Sequence, residues 1–178
     1  MYYVPKKAPR NAAVISVSLF GGAAALYLVG EFFSPRLFFQ LIALILAAVG
    51  IYLTSRYILT DYKYVLKDID GPYQEISFTI VKVNGKREAI MANFELNDVY
   101  ALEKCRKTSA FEQKHGKVNK VYNYCSNLLS PDVYKLALKF NGMNVLFSVE
   151  LSEEFAREIS VRLPSLPKQN DGEASSEP

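Results

Sequence analysis

The chain has 178 residues, half of them apolar, with a formal net charge of +3, one histidine and two cysteines. That length leaves room for one domain and an appendage and excludes a two-domain enzyme, while a lone histidine and two cysteines outside any CxxC pair exclude a zinc site on soft ligands. From Thr60 to Leu163 fifteen Lys and Arg face fourteen Asp and Glu, too even a balance for a basic face that displaces counterions, so no nucleic-acid partner is expected.

The apolar residues are concentrated at the N-terminal end. Twenty residues between Arg10 and Glu31, and nineteen between Arg36 and Arg56, carry no charge. At about 1.5 Å per residue each run is long enough to cross a hydrocarbon core of about 30 Å. This predicts an N-terminal segment 1–11 and a transmembrane hairpin over 12–56, with spans near 12–30 and 37–55. A second span directly after the first argues against a cleaved signal peptide. Lys6, Lys7 and Arg10 precede the first span and Arg56, Lys63 and Lys67 follow the second, whereas the connection Glu31–Arg36 holds one charge of each sign. Both termini are therefore expected on the cytoplasmic side of the cell membrane. In the connection Phe32-Phe33-Ser34-Pro35, the rings suit the interface and Pro35 suits the start of the second helix.

Small residues recur as a stripe on each span: Ser18, Gly22 and Ala25 on the first, Ala43, Ala47 and Gly50 on the second. Lipid offers no hydrophobic drive for helix pairing, so backbone approach over small side chains is the expected packing; the alternative is that this stripe docks a partner's helices. Neither span contains Asp, Glu, Lys, Arg or His, and so neither offers an ion path or proton relay. The hairpin reads as an anchor.

After Arg56 the period changes from helix to strand. Tyr57–Leu66 reads as a strand with Tyr62, Tyr64 and Leu66 on one face, and Asp70-Gly71-Pro72 as a turn. Glu75–Val83 alternates Ile76, Phe78 and Ile80 against Ser77 and Thr79, and Asn84-Gly85 turns it back through Glu88–Phe94. Leu96–Cys105 suits either a short helix or a strand. Val118–Cys125 reads as a strand, and Tyr134–Phe140 as another, with Tyr134, Leu136, Leu138 and Phe140 facing inward and Lys135, Ala137 and Lys139 outward. Asn141-Gly142 leads to Met143–Leu151, whose inner face is Met143, Val145, Phe147, Val149 and Leu151. Ser152 is a natural N-cap for a helix with Glu153 and Glu154 in its first turn and Phe155, Ile159 and Leu163 on its packing face, stopped by Pro164. Residues 164–178 are polar and read as a disordered tail.

The expected fold class is α+β: a two-helix hairpin, then a small antiparallel β-barrel or sandwich over 57–163 with a C-terminal capping helix. Element order and the junction Tyr57-Ile58-Leu59-Thr60-Asp61-Tyr62 resemble the bacterial membrane proteins in which a two-span hairpin runs directly into a pleckstrin-homology-like (PH-like) domain. The resemblance covers about residues 12–163 and implies a PH-like fold for the β domain; the strand count also fits another small barrel or sandwich. It carries no ligand residues, because a fold is not a function.

One charge feature stands out. Lys104, Arg106, Lys107, Lys114, Lys117 and Lys120 are opposed only by Glu112 within 104–120, a net +5. The simplest reading is a solvated loop; beside a bilayer it would gain about 1 kcal/mol per basic residue from anionic lipid, and an acidic protein partner is the further alternative. His115 has no Ser, Cys or carboxylate at a spacing that implies a catalytic pair, and Cys105 and Cys125 read as reduced, packed thiols. No catalytic residue, cofactor or metal is expected. Subtraction leaves a non-enzymatic, membrane-anchored interaction or assembly protein, with a membrane-protein partner or further copies of itself. The alternatives are a sensor of anionic lipid or phosphorylated ligand through residues 104–120 and, less favoured, a lipid-modifying enzyme.

Overall fold

The computed structural model of the protein describes residues 1–7, 10–33, 35–69 and 75–163. The expected turn at Asp70-Gly71-Pro72, Ser34 of the interhelical connection and the tail 164–178 lie outside the described residues. The fold is α+β, with two long apolar helices and two four-stranded sheets.

Helix α1 runs over Arg10–Gly30 and α2 over Arg36–Leu53, and a single π turn continues α2 to Ile58. Both are long and apolar enough to cross a membrane, over Asn11–Gly30 and Arg36–Ile58. Tyr57 and Ile58 therefore end a helix instead of opening a strand. The physical reason is local: the Leu59 N–H bonds back to the Thr54 carbonyl at 3.0 Å and the Thr60 hydroxyl donates to the Ser55 carbonyl at 2.9 Å, so the last turn satisfies its own orphan carbonyls.

Sheet A has the order β1-β2-β3-β4, with β1 Tyr2–Tyr3, β2 Asp61–Ile69, β3 Glu75–Asn84 and β4 Arg87–Glu95. The expected hairpin at Asn84-Gly85 is present, with Gly85 at φ +60°, a left-handed angle that glycine adopts without strain. Strand β1 was not anticipated: Tyr2 and Tyr3 pair antiparallel with Val65 and Tyr64, so the first residues of the chain belong to the sheet that follows the hairpin. Tyr3 stacks on Phe155 at 5.5 Å, and β1 thereby gains packing as well as ladder bonds.

A 3-10 turn at Leu96–Asp98 leads into sheet B, whose order is β5-β7-β8-β6, with β5 Val99–Lys104, β6 Lys120–Asn123, β7 Val133–Phe140 and β8 Met143–Glu150. The ambiguous Leu96–Cys105 segment thus resolves into turn and strand. Asn141 (φ 49°) and Gly142 (φ 74°) form the β7–β8 turn, the left-handed pair that a two-residue hairpin needs. Strand β6 is shorter than expected and pairs parallel with β8, so sheet B is not wholly antiparallel. Helix α4, Glu153–Arg162, follows Ser152, whose hydroxyl accepts from the Phe155 N–H at 3.2 Å.

The two sheets enclose Tyr64, Leu66, Phe78, Ile80, Leu136, Val149 and Leu151, capped by Phe155 and Ile159 of α4. Each such side chain contributes about 1.5–3 kcal/mol on burial. The Tyr64 hydroxyl ties the sheets together, donating to the Tyr124 carbonyl and accepting from the Glu150 N–H, both at 3.0 Å. Tyr64→Phe keeps the ring and strands both backbone groups, so it is expected to cost about 1–3 kcal/mol, read as a lower thermal midpoint in mild detergent. A midpoint equal to wild type would show that the tie contributes nothing.

A second layer covers the other face of sheet B, which the alternation assigns to solvent. The segment expected as a polar loop contains α3, Thr108–His115, and its Phe111 packs with Val118, Ala101, Ala137 and Leu146 in a small separate core. Phe140, expected inward, is 57% exposed at the end of β7.

Candidate functional site

The sandwich does not close into a barrel. Among the described residues β4 pairs only with β3, and β6 only with β8, which leaves an open side between the two sheets. A groove of about 320 Å³ lies there, with walls from Met91, Ala92 and Asn93 of β4 and Lys120 and Tyr122 of β6. Its floor comes from Phe94, Leu138, Val145 and Phe147, with Phe140 and Met143 at one end. The rings form a stacked series: Phe94 on Phe147 at 5.3 Å, Phe147 on Tyr122 at 5.5 Å, and Tyr122 on Tyr124 at 6.2 Å.

Two local features open this groove. In β4 the register slips between Ile80 and Val81 of β3, so Met91 is an extra residue without a cross-strand partner. Such a bulge bends an edge strand and re-aims a side chain, here into the groove. In β6 all four residues are exposed, and Val121 and Tyr122 present apolar surface next to unpaired backbone, which is a template for another strand. Sequence reasoning missed the site because it takes two edges from strands distant in the chain; the tyrosine-rich Val121-Tyr122-Asn123-Tyr124 run was its only local sign.

The six basic candidates do not form one open patch. Lys104 bridges Asp132 at 2.9 Å and Glu153 at 3.0 Å, which raises its pKa. Lys114 bonds Glu103, and this bond is the main cause that lowers the Glu103 pKa. Arg106, Lys107, Lys117 and Lys120 make no ion pair among the described residues. His115 also meets Glu103, with Nε2 3.0 Å from Oε2, a partner twelve positions upstream. This exposed pair lies on α3 and β5, away from the groove.

A row of buried polar groups runs along the outer face of sheet B, Lys135 beside Thr108 of α3 and Glu150 beneath Ser126 and Asn127. Lys135 is 5% exposed and its ammonium donates to the Ser148 hydroxyl at 2.6 Å and to Thr108 at 3.4 Å; burial lowers its pKa. Glu150 is 2% exposed and accepts from the backbone N–H groups of Ser126 and Asn127 at 3.3 and 3.0 Å. Burial raises its pKa against the pull of those donors. Burial likewise pushes the Cys125 thiol up to about 12, so it stays protonated and unreactive at neutral pH. Cys105 is half-buried, and the two cysteines are unbonded. A serine held by a lysine is a nucleophile and base in principle, but Ser148 is only 4% exposed beneath the α3 layer and offers an incoming substrate no approach. Among the described residues no three His, Cys, Asp or Glu side chains cluster in a way that could hold a metal ion.

On the helices, Ala43 and Gly50 are buried and Ala47 is half-buried, on the stripe expected for α2. On α1 the packing face is rotated: Ser18 and Ala25 are exposed and Gly22 half-buried, whereas Ala12, Ser16, Ala23 and Gly30 are buried. The run Gly21–Ala25 is small on every side, so small size alone does not fix the face; the Phe20 ring over Gly50 and Phe39 against Gly30 do. Where the chain leaves the helices, Lys7 bridges Asp61 at 2.8 Å and donates to the Ile58 carbonyl at 2.6 Å, and Arg56 donates to the Asn123 carbonyl at 2.7 Å.

A family model described as a bacterial PH-like domain (DUF6106) matches residues 2–166. No curated protein and no solved structure matches the chain.

Proposed function

The chain belongs to the bacterial PH-like domain family (DUF6106), and on that premise we propose that it is a non-enzymatic interaction protein anchored in the cell membrane by its hairpin. Its PH-like domain, on the cytoplasmic side with both termini, binds another membrane protein along the open side of the sandwich. The observation that carries this reading is the groove between two unpaired strand edges, β4 and β6, with Met91 and Tyr122 over 40% exposed at its walls. Main-chain edges give affinity to an added strand, and a pocketed apolar floor gives it register. Support for the anchoring comes from the length of the two apolar helices, from Lys7, before α1, meeting Asp61, after α2, and from the basic residues that flank the pair.

Full-length protein purified from its native membranes in mild detergent is expected to bring a membrane protein at fixed stoichiometry. The double variant Tyr122→Ala, Phe140→Ser, both exposed positions, is expected to reduce the recovered partner about tenfold while the chain itself is recovered normally. A chain that arrives alone and monomeric through several detergents would end this reading.

A further inference from the structure

We infer that the segment received by this groove is acidic as well as apolar: an extended stretch of a partner protein in which apolar side chains on one face fill the groove and Asp or Glu residues at one end meet lysines. This rests on the reading above and adds the partner's chemistry.

The charge of the rim is the argument. Lys120 lines the groove, and no Asp or Glu among the described residues does. Its own row holds Val145 and Leu138, and two further lysines lie near the next row. Asn144 bonds the loop that precedes β6, through Asn119 at 2.9 Å and the Lys117 carbonyl at 3.0 Å, and the residue opposite Asn144 on β7 is Lys139. All three lysines thus lie toward the end of sheet B where Phe140 and Met143 close the groove, Lys120 on the groove face and Lys139, which alternates with Leu138 and Phe140, on the opposite face. All three are exposed, and none makes an ion pair among the described residues. Lys63 and Lys104, by contrast, are paired, Lys63 with Glu88 and Lys104 with Asp132 and Glu153. An apolar groove with one uncompensated cationic end selects an occupant that is apolar along its length and anionic at that end, because like charge there is rejected and opposite charge speeds encounter. The two flanking strand edges favour a polypeptide over a lipid, since only a polypeptide supplies N–H and C=O groups to pair with them.

The test is panning of a random twelve-residue peptide library against the full-length protein in nanodiscs, with empty nanodiscs as subtraction, followed by anisotropy titration of the enriched peptides. Enriched peptides are expected to alternate apolar residues and to carry Asp or Glu toward one end. They should bind Lys120→Glu about tenfold more weakly, and a peptide with its acidic residues changed to Lys should recover binding to that variant. Peptides that lose binding with Tyr122→Ala but show no acidic pattern and ignore Lys120→Glu would overturn the acidic chemistry and leave the groove as a peptide site. Absence of any enrichment would overturn both. Protection of the groove residues from hydrogen exchange only when phosphatidylglycerol replaces phosphatidylcholine in the discs would assign the groove to lipid and overturn the inference.

Discussion

Replacing Glu150 with alanine is expected to lower stability by about 4 kcal/mol, a large share of the 5–15 kcal/mol that holds a domain of this size. The carboxylate accepts from Ser126 N, Asn127 N and the Asn127 side chain, within 3.0–3.3 Å. Those donors organise the turn between β6 and β7, and the Tyr62 N–H of β2 bonds Ser126 Oγ from the other side at 3.0 Å. Alanine leaves buried N–H groups unpaired at about 1–3 kcal/mol each. The pH dependence separates this from a cavity effect. Because the folded pKa of Glu150 lies above its ordinary value of 4.5, the folded state binds the proton more tightly. Its protonated form therefore contributes stability that is full below about pH 4.5 and is lost as pH rises through the folded pKa. Glu150→Gln should flatten that part of the profile. Thermal midpoints of the two variants and the wild type, measured from pH 4 to 8 in one detergent, check both statements; parallel profiles for wild type and Glu150→Gln would show that the carboxyl does not titrate in this way.

Gly30→Leu is expected to cost about 3 kcal/mol in the helix pair and to separate its two ends. A β-carbon at Gly30 would stand 2.8 Å from the Phe39 Cβ, an atom that cannot move without α2 moving. Gly21 is the internal control, for a β-carbon there meets nothing within 4 Å, and Gly21→Leu should be neutral or slightly stabilising. Equal loss of thermal stability in the two variants would mean that helix crowding at Gly30 is not what sets the packing.

Period-2 alternation gave the inner faces of both sheets well, because Tyr62, Tyr64, Phe78, Leu136 and Val149 face a core that strand geometry alone dictates. It failed where a second layer exists. Lys135, Ser148 and Glu150 look like a solvent face until α3, with Phe111 over Ala137 and Leu146, and the turn at Ser126 and Asn127, over Glu150, are seen to cover it; Leu146 on that same face of β8 was the available warning. Strand β1 was illegible because two residues have no period, and its partners lie more than sixty positions away. The basic residues could be counted in sequence, but their compensation by Asp132, Glu153 and Glu103 depends on which strands meet. The groove needs β4 and β6 to stop short of each other, which no local pattern encodes.

The pairing of Tyr2 with Val65 also sets an order in time. Synthesis proceeds at roughly 5–20 residues per second, so β1 leaves the ribosome seconds before its ladder partner exists, and both apolar helices are made in the interval. Sheet A can be finished only after those helices have come to rest with their outer ends together. A helix pair that failed to do so would leave β2 with a bare edge and Phe155 without the Tyr3 ring, a defect that quality-control proteases could read directly.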